Sequence, residues 1–274
     1  MRRGLARRWR MALASGLLAM SAAVAQAEPA FDPLDEAQAL QTATASGGDL
    51  SLGLLANTGN TRSSTLTARG ALDRHTAQYD NRVDLLYVDS HARGELADRK
   101  FSIADKLKLE LGRRNYAFGL AHYDHDEVAA IRERISLAAG LGRHLLRGAD
   151  QLDLDLGLGW SNAQAQDQDG FEDRVIGVVG AVYAHAFNAQ SQFRQTAQTE
   201  FSSYNLYLAS VSTLRLKLSK RWFVSLDYEL RHNRKAVADT GHTDEIRSAN
   251  IGFDFGKAPA QASAEPLLEA FPEN

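Results

Sequence analysis

Cysteine is absent from the sequence, so neither a disulfide framework nor a thiolate metal site can stabilise this chain. Proline is nearly as scarce: five occur among 274 residues, and none lies between Pro33 and Pro259. Because proline cannot donate a hydrogen bond to a sheet ladder, a proline-free span of this length favours one continuous β-sheet over a sandwich of short, punctuated strands.

The sequence also lacks a strong excess of charge. The formal net charge is −3, with 31 basic and 34 acidic side chains, which gives no reason to expect nucleic acid as a partner. No stretch after residue 27 is apolar enough and long enough to form a transmembrane helix. Composition leaves open an exported soluble domain and an outer-membrane barrel, because a barrel strand needs apolar residues only at every second position.

The first 27 residues have the three parts of a secretory signal peptide. Five arginines lie within the first ten residues, residues 11–24 form an uncharged and mostly apolar run, and Ala25-Gln26-Ala27 supplies a small-x-small cleavage pattern. The apolar run is short for a membrane-spanning helix. The sequence therefore predicts a mature chain that starts near Glu28, outside the cytoplasm.

Apolar and polar residues alternate with a period of two through most of the mature chain. A strand places such apolar residues on one face, whereas a helix would scatter them around its axis. In the clearest segment, 151–162, the alternating apolar residues are Leu152, Leu154, Leu156, Leu158 and Trp160. The pattern predicts strands at 49–58, 62–73, 78–89, 100–111, 116–124, 131–143, 151–162, 173–187, 192–202, 205–218, 222–233 and 244–256.

Strands of this length and even number are typical of bacterial outer-membrane barrels, in which both termini lie on the periplasmic side. Most predicted connections alternate between short inner turns and longer outer loops, the latter at 90–99, 125–130, 163–172 and 234–243. The predicted fold class is therefore all-β, an antiparallel up-and-down transmembrane β-barrel of about 12 strands. The predicted division is a signal peptide (1–27), a periplasmic lead that could include a short helix (28–48), the barrel (49–256) and a disordered tail (257–274).

Two segments resemble a known family. The segment 52–61, with the turn Thr58-Gly59-Asn60-Thr61, and the Ser/Thr-rich strand that follows it are similar to the first hairpin of that family. The alternating aromatics Phe253 and Phe255 also resemble the terminal signal that barrel-assembly machinery reads. The family is DUF481, which is described as salt-induced outer-membrane proteins. The resemblance covers residues 49–256 and implies an outer-membrane location and a salt response, but no catalytic motif.

Charged residues occupy the face opposite the apolar one, which predicts that they point into the barrel lumen. Opposite charges that face each other would brace the wall as ion pairs, or they would line a narrow polar pore. The near balance of signs argues against strong ion selectivity. The predicted lumen residues are the cations Arg69, Arg82, Lys106, Lys108, Arg194, Arg215, Lys217 and Arg231 and the anions Asp80, Asp84, Glu110, Asp153, Asp155, Glu200, Asp227 and Glu229.

Histidine and carboxylate side chains are densest at 122–127. Such a cluster could bind a divalent cation or belong to a hydrolase. Alternation, however, separates His122 and Asp124 from Tyr123 and His125, so the cluster does not converge on one face. Because no nucleophile elbow, phosphate loop or zinc motif is present either, we predict no catalytic, metal or cofactor site.

The predicted outer loops are acidic and could hold divalent cations that bridge lipopolysaccharide phosphates. The expected partners are outer-membrane lipid, lipopolysaccharide and, during assembly, the barrel-assembly machinery. The acidic loop residues are Glu95, Asp98, Asp126, Glu127, Asp167, Asp169, Glu172 and Asp239.

The sequence thus predicts a non-enzymatic outer-membrane barrel, and the resemblance adds a role in envelope integrity or in the salt or osmotic response. One alternative is a narrow, porin-like channel for small polar solutes. The other is an outer-membrane hydrolase that uses His122 or His125.

Overall fold

The computed structural model describes residues 45–57, 63–128, 131–165, 170–203, 205–234 and 243–256. The predicted signal peptide, the tail and most of the predicted lead lie outside these residues. Within the described residues, no helix is sufficiently long and apolar to cross a membrane. The strands are β1 Ala45–Asn57, β2 Ser63–His75, β3 Tyr79–Ala92, β4 Glu95–Glu110, β5 Asn115–Asp126, β6 Ile131–Leu146, β7 Asp150–Ala165, β8 Phe171–Ala186, β9 Ser191–Phe201, β10 Leu206–Lys217, β11 Trp222–Asn233 and β12 Thr243–Gly256.

Each strand pairs antiparallel with the next, and β12 pairs with β1 to close the barrel. The prediction of an all-β, antiparallel barrel of twelve strands is confirmed. We call the end that carries Ala45 and Gly256 the inner end and the opposite end the outer end. β1 begins at Ala45 rather than at 49, so the last residues of the predicted lead belong to the wall.

The prediction of an outer loop at 90–99 was wrong. β3 runs to Ala92 and β4 begins at Glu95, which leaves only Arg93 and Gly94 in the connection. Both have positive φ, 56° and 88°, as the tight turn of a two-residue hairpin requires. The two strands therefore continue as a hairpin beyond the predicted ends, and the acidic residues of this segment lie in β4.

Side chains on the outward face are apolar along most of the wall. Leucines such as Leu54, Leu156 and Leu158 are 66–74% exposed. Two rings of outward aromatic residues bound this apolar band. Towards the inner end lie Tyr79, Tyr183, Phe193, Trp222, Phe253 and Phe255, and towards the outer end lie Tyr87, Phe101, Tyr123, Trp160 and Phe201.

The spacing of the two aromatic rings can be read along β3, where Tyr79 and Tyr87 both face outward. At a rise of about 3.3 Å per residue and a tilt of roughly 40°, they lie about 20 Å apart along the barrel axis. This height is close to the apolar band of about 25 Å that is typical of outer-membrane barrels.

The lumen contains an apolar cluster against β5, β6 and β8. Tyr116 is fully buried there, and Phe118, Leu120, Ile176 and Val178 are buried beside it. Glycines on the adjacent strand make the room. A Cβ added to Gly142 would lie 2.1 Å from the Tyr116 ring, and one added to Gly140 would lie 2.8 Å from the Phe118 ring. The aromatic side chains thus occupy space that glycine leaves open on the neighbouring strand.

Candidate functional site in the barrel lumen

The strand registers place all sixteen predicted lumen residues on the inward face. They do not form one uniform lining. Those of the outer half are buried in a network of ion pairs, whereas several of those of the inner half remain open to solvent.

An ionic belt closes the outer half of the lumen. We define it as Asp124, Arg134, Glu200, Glu229 and Arg231. The Arg134 guanidinium donates through Nη2 to Asp124 Oδ2 at 2.6 Å, and its Nη1 lies 3.7 Å from Glu200 Oε2. Arg231 pairs with Glu229 on its own strand. The belt therefore contains two cations and three carboxylates in direct or near contact.

The belt also crosses the lumen. Arg231 Nη1 lies 3.9 Å from Asp124 Oδ1. Their strands, β11 and β5, are six apart in a ring of twelve and so form opposite walls of the barrel. Arg69 of β2 adds a further brace, because its Nη2 donates to Glu229 Oε2 at 2.9 Å. An open passage through the outer half would require these contacts to separate.

Burial of the belt is nearly complete: the side chains of Glu229, Glu200, Arg134 and Asp124 are 2%, 4%, 8% and 9% exposed. Buried charges are tolerated when their remaining lone pairs and protons also find partners. Ser136 donates to Glu200 at 3.3 Å, and the Arg134 guanidinium lies 3.7 Å from the centre of the Tyr207 ring. The belt is thus a packed polar layer.

A solvent-accessible vestibule occupies the inner half of the lumen. Its charged residues include Asp73, Arg82, Asp84 and Arg194, on opposite walls. Arg82 Nη1 donates to Asp73 at 2.9 Å, yet the Asp84 side chain is 52% exposed. Arg194 is half-buried and makes no hydrogen bond or ion pair with any described residue. Because the Asp84 side chain is about half exposed, water can enter the lumen from the inner end.

A second polar cluster braces the wall between β4 and β7. Lys106 pairs with Asp155, and the Tyr116 hydroxyl donates to the same carboxylate at 2.8 Å. Lys108 pairs with Asp153 at 2.5 Å, and His144 Nδ1 lies 2.6 Å from Asp153 Oδ1. Sequence reasoning found the lysines and aspartates but missed Tyr116 and His144. His144 lies beyond the predicted end of its strand, and on β5 the larger apolar residues, Tyr116 among them, face the lumen instead of the lipid.

The histidine cluster at 122–127 divides as predicted. The register places His122 and Asp124 inward, and Tyr123 and His125 outward. His122 Nε2 lies 3.1 Å from Ser102 Oγ and 3.3 Å from Asp124 Oδ1. A catalytic triad needs the serine and the acid on different ring nitrogens, so these three residues do not have that geometry.

Within the described residues, no group of three or more histidine or carboxylate side chains converges closely enough to hold a metal ion. Three of the acidic residues assigned to outer loops, Asp167, Asp169 and Asp239, lie outside the described residues. Of the rest, all but Glu127 belong to strands: Glu95, Asp98, Asp126 and Glu172.

Comparison with solved structures finds other barrels. The translocator domain of the autotransporter NalP from Neisseria meningitidis is 11% identical, with a TM-score of 0.44 and coverage of 92% of this chain and 97% of that one. An outer-membrane channel from Pseudomonas putida F1 is 10% identical, with a TM-score of 0.44 and coverage of 83% and 100%. At these identities and TM-scores, the likeness carries no argument about function.

Comparison of sequences is more specific. The uncharacterized protein YdiY of Escherichia coli (strain K12) is 26% identical over 212 residues, which span 76% of this chain and 82% of YdiY. The family described as "Protein of unknown function, DUF481" matches residues 50–255, three-quarters of the chain and nearly the whole of the barrel. The chain therefore belongs to the DUF481 family.

Proposed function

We propose that this protein is an integral β-barrel of the outer membrane with a structural, non-enzymatic role in envelope integrity. The observation that carries the location is the outward apolar band between two aromatic rings about 20 Å apart, which is close to the band of about 25 Å that is typical of outer-membrane barrels. Water would leave this band unfavourably exposed, whereas lipid tails would solvate it.

The ionic belt supports the structural role. Its buried ion pairs connect opposite walls, from Asp124 on β5 to Arg231 on β11, and so fill the outer half of the lumen. A general diffusion pore instead keeps an aqueous channel. A barrel with its outer half filled in this way would strengthen the membrane as a rigid integral protein and would not conduct solutes.

Folding of the mature chain, from Glu28 onward, into detergent or lipid vesicles tests the location. We expect a gel mobility that changes on heating, as a closed membrane barrel shows. A chain that stays monomeric and soluble without detergent, with unchanged mobility, would overturn the proposal.

The role in salt or osmotic response rests on the family resemblance. A deletion strain should then leak periplasmic proteins or lose viability at high osmolarity, and the intact gene should restore both. An unchanged envelope under salt and osmotic stress would count against this role.

A narrow channel for small polar solutes is the second candidate, and the vestibule favours it. Its side chains stay accessible to solvent, with Asp84 52% exposed. Planar-bilayer recording separates the candidates: steady conductance of the unmodified barrel supports the channel, whereas silence supports the structural role.

A further inference from the structure

The seam between β1 and β12 is incomplete. β1 pairs with β2 along its whole length, Ala45–Asn57. With β12 it pairs only from Gly47 to Gly53, opposite Gly256 to Asn250. In the described part of the chain, the outer end of β1 therefore has a hydrogen-bonded neighbour on one side only.

The ladder stops where Asn250 lies against Gly53. A Cβ on Gly53 would be 2.1 Å from Asn250 Oδ1, and this oxygen is buried without a hydrogen-bond partner. Continuing the register would set Leu54 opposite Ala249, but no such pair is present among the described residues. Leu54 is 74% exposed and Leu55 is 53% exposed. Among the described residues, the facing edges of β1 and β12 are therefore unpaired beyond Gly53 and Asn250.

The open end of the seam lies towards the outer end of the apolar band. On β12, Arg247 is opposite Tyr228 of β11, and its guanidinium lies 5.6 Å from the centre of that ring. The Arg247 side chain is 76% exposed and pairs with Glu245 at 2.6 Å. A cation that shares its charge with the Glu245 carboxylate therefore lies beside the open seam, towards the outer end of the apolar band.

An apolar groove of about 570 Å³ runs along the outside of the same seam. Its lining includes Leu52, Leu54, Leu66, Leu216, Leu226 and Ile251, from β1, β2, β10, β11 and β12. The groove begins at the closed part of the seam and includes Leu54 at the open part. It offers an apolar channel below the exposed cation.

We propose that the open end of the seam binds the lipid anchor of lipopolysaccharide. One acyl chain lies in the groove, and a phosphate of the anchor binds Arg247. The polar part of the anchor also reaches the unpaired backbone groups, which would otherwise be left without hydrogen-bond partners in hydrocarbon. Lipopolysaccharide is chosen over phospholipid because the site lies in the outer leaflet. The inference rests on the proposed membrane location.

A reversible disulfide tests the seam. Leu54→Cys with Ala249→Cys would extend the ladder and close the site. The matched control is Ala121→Cys with Leu137→Cys, a leucine and alanine pair that faces each other outward on β5 and β6. Folded protein is incubated with purified lipopolysaccharide, and the retained lipid is measured by native mass spectrometry. Oxidation should lower retention by the seam variant about tenfold, reduction should restore it, and the control should not change.

The single variant Arg247→Gln provides a test that does not depend on disulfide geometry. Because the side chain is mostly exposed, the barrel should fold normally. Loss of a charge-assisted hydrogen bond to phosphate should weaken lipopolysaccharide retention about tenfold. Phosphatidylglycerol, offered at the same concentration, should be retained poorly by every variant.

Equal retention of phosphatidylglycerol would assign the seam to phosphate-bearing lipids in general and overturn the choice of lipopolysaccharide. Unchanged retention after oxidation and in Arg247→Gln would overturn the site itself. Heat-modifiable mobility is recorded on the same samples. A barrel that forms but retains no lipid contradicts only this inference, whereas failure to form a barrel contradicts the proposed function.

Discussion

Arg231 of β11 faces Asp124 of β5 across the lumen, with Nη1 3.9 Å from Oδ1. Neither atom has a hydrogen-bond partner, although both are buried. Each residue is held in place by a closer partner, Glu229 for Arg231 and Arg134 for Asp124. The contact between opposite walls is therefore too long for a hydrogen bond, and its geometry depends on the Arg231–Glu229 and Arg134–Asp124 pairs.

Arg134→Leu should destabilise the barrel by about 3–5 kcal/mol, because it leaves Asp124 and Glu200 buried without their shared cation. Unfolding by urea in detergent micelles measures the loss. Lys217→Gln is the control, since Lys217 also faces inward but is exposed at the inner rim and should change stability by less than about 0.5 kcal/mol. Equal losses in both variants would contradict a special role for the belt.

Removing both partners of the cross-lumen contact should open the lumen without unfolding the barrel. In Asp124→Ala with Arg231→Ala, Arg134 keeps Glu200 and Arg69 keeps Glu229, so no buried charge loses all its partners. We expect silence from the unmodified barrel in planar bilayers and steady conductance from the double variant. A double variant that folds but stays silent would show that other side chains close the lumen.

Gly142→Ala should destabilise the barrel by roughly 1–3 kcal/mol, because the new Cβ would overlap the Tyr116 ring in a tightly packed site. Gly119→Ala is the matched control on the neighbouring strand, where an added Cβ meets nothing within 4 Å. The midpoint of the heat-induced gel-mobility change compares the two. Similar midpoints would mean that Tyr116 rearranges freely and that its packing contributes little.

Asn81 and Asp105 form a polar pair that faces outward within the apolar band. Asn81 Nδ2 donates to Asp105 Oδ1 at 2.6 Å, and Asp105 is opposite Val83, midway between Tyr79 and Tyr87 on β3. Asp105→Leu alone would remove the closer acceptor of the Asn81 amide and leave it only the Lys106 carbonyl at 3.4 Å, at a cost of about 1–3 kcal/mol.

Replacing both members of this pair should reverse that loss. In Asn81→Leu with Asp105→Leu, no polar group of the pair remains in the band, so stability in lipid vesicles should equal or exceed that of the unmodified barrel. Urea unfolding of the single and double variants measures the difference. A double variant less stable than Asp105→Leu would show that the polar pair itself supports the wall.

The sequence was sufficient for the strands and for most of their faces. Side chains alternate between the two faces of a strand, so a run such as Leu152 to Trp160 reveals both the element and its lipid-facing side. On β5 the same pattern misleads, because the larger apolar residues Tyr116 and Phe118 face the lumen. The turn at Arg93 and Gly94 was missed because the polar residues around it resemble a loop, although they continue the strand pairing. Local pattern cannot separate a polar strand that extends past the apolar band from a polar loop.

The belt could be predicted only in its composition. The charges of Glu200, Glu229 and Arg231 were assigned to the lumen from alternation, but which of them meet depends on the position of strands far apart in sequence. Arg134 and Tyr207 were not assigned to the lumen, although both occupy inward positions of the same alternation. The open seam was equally inaccessible, since it depends on the register between the first strand and the last.

Barrel closure joins the first and last strands, β1 and β12. Every other neighbouring pair of strands is consecutive in sequence, whereas the seam sets Gly47 opposite Gly256. Hairpins between consecutive strands form locally, but the seam must close a loop of roughly 200 residues. The chain loses the entropy of this closure before the hydrogen bonds of the seam can form and offset the loss. The wall should therefore grow hairpin by hairpin and close last, across its shortest ladder.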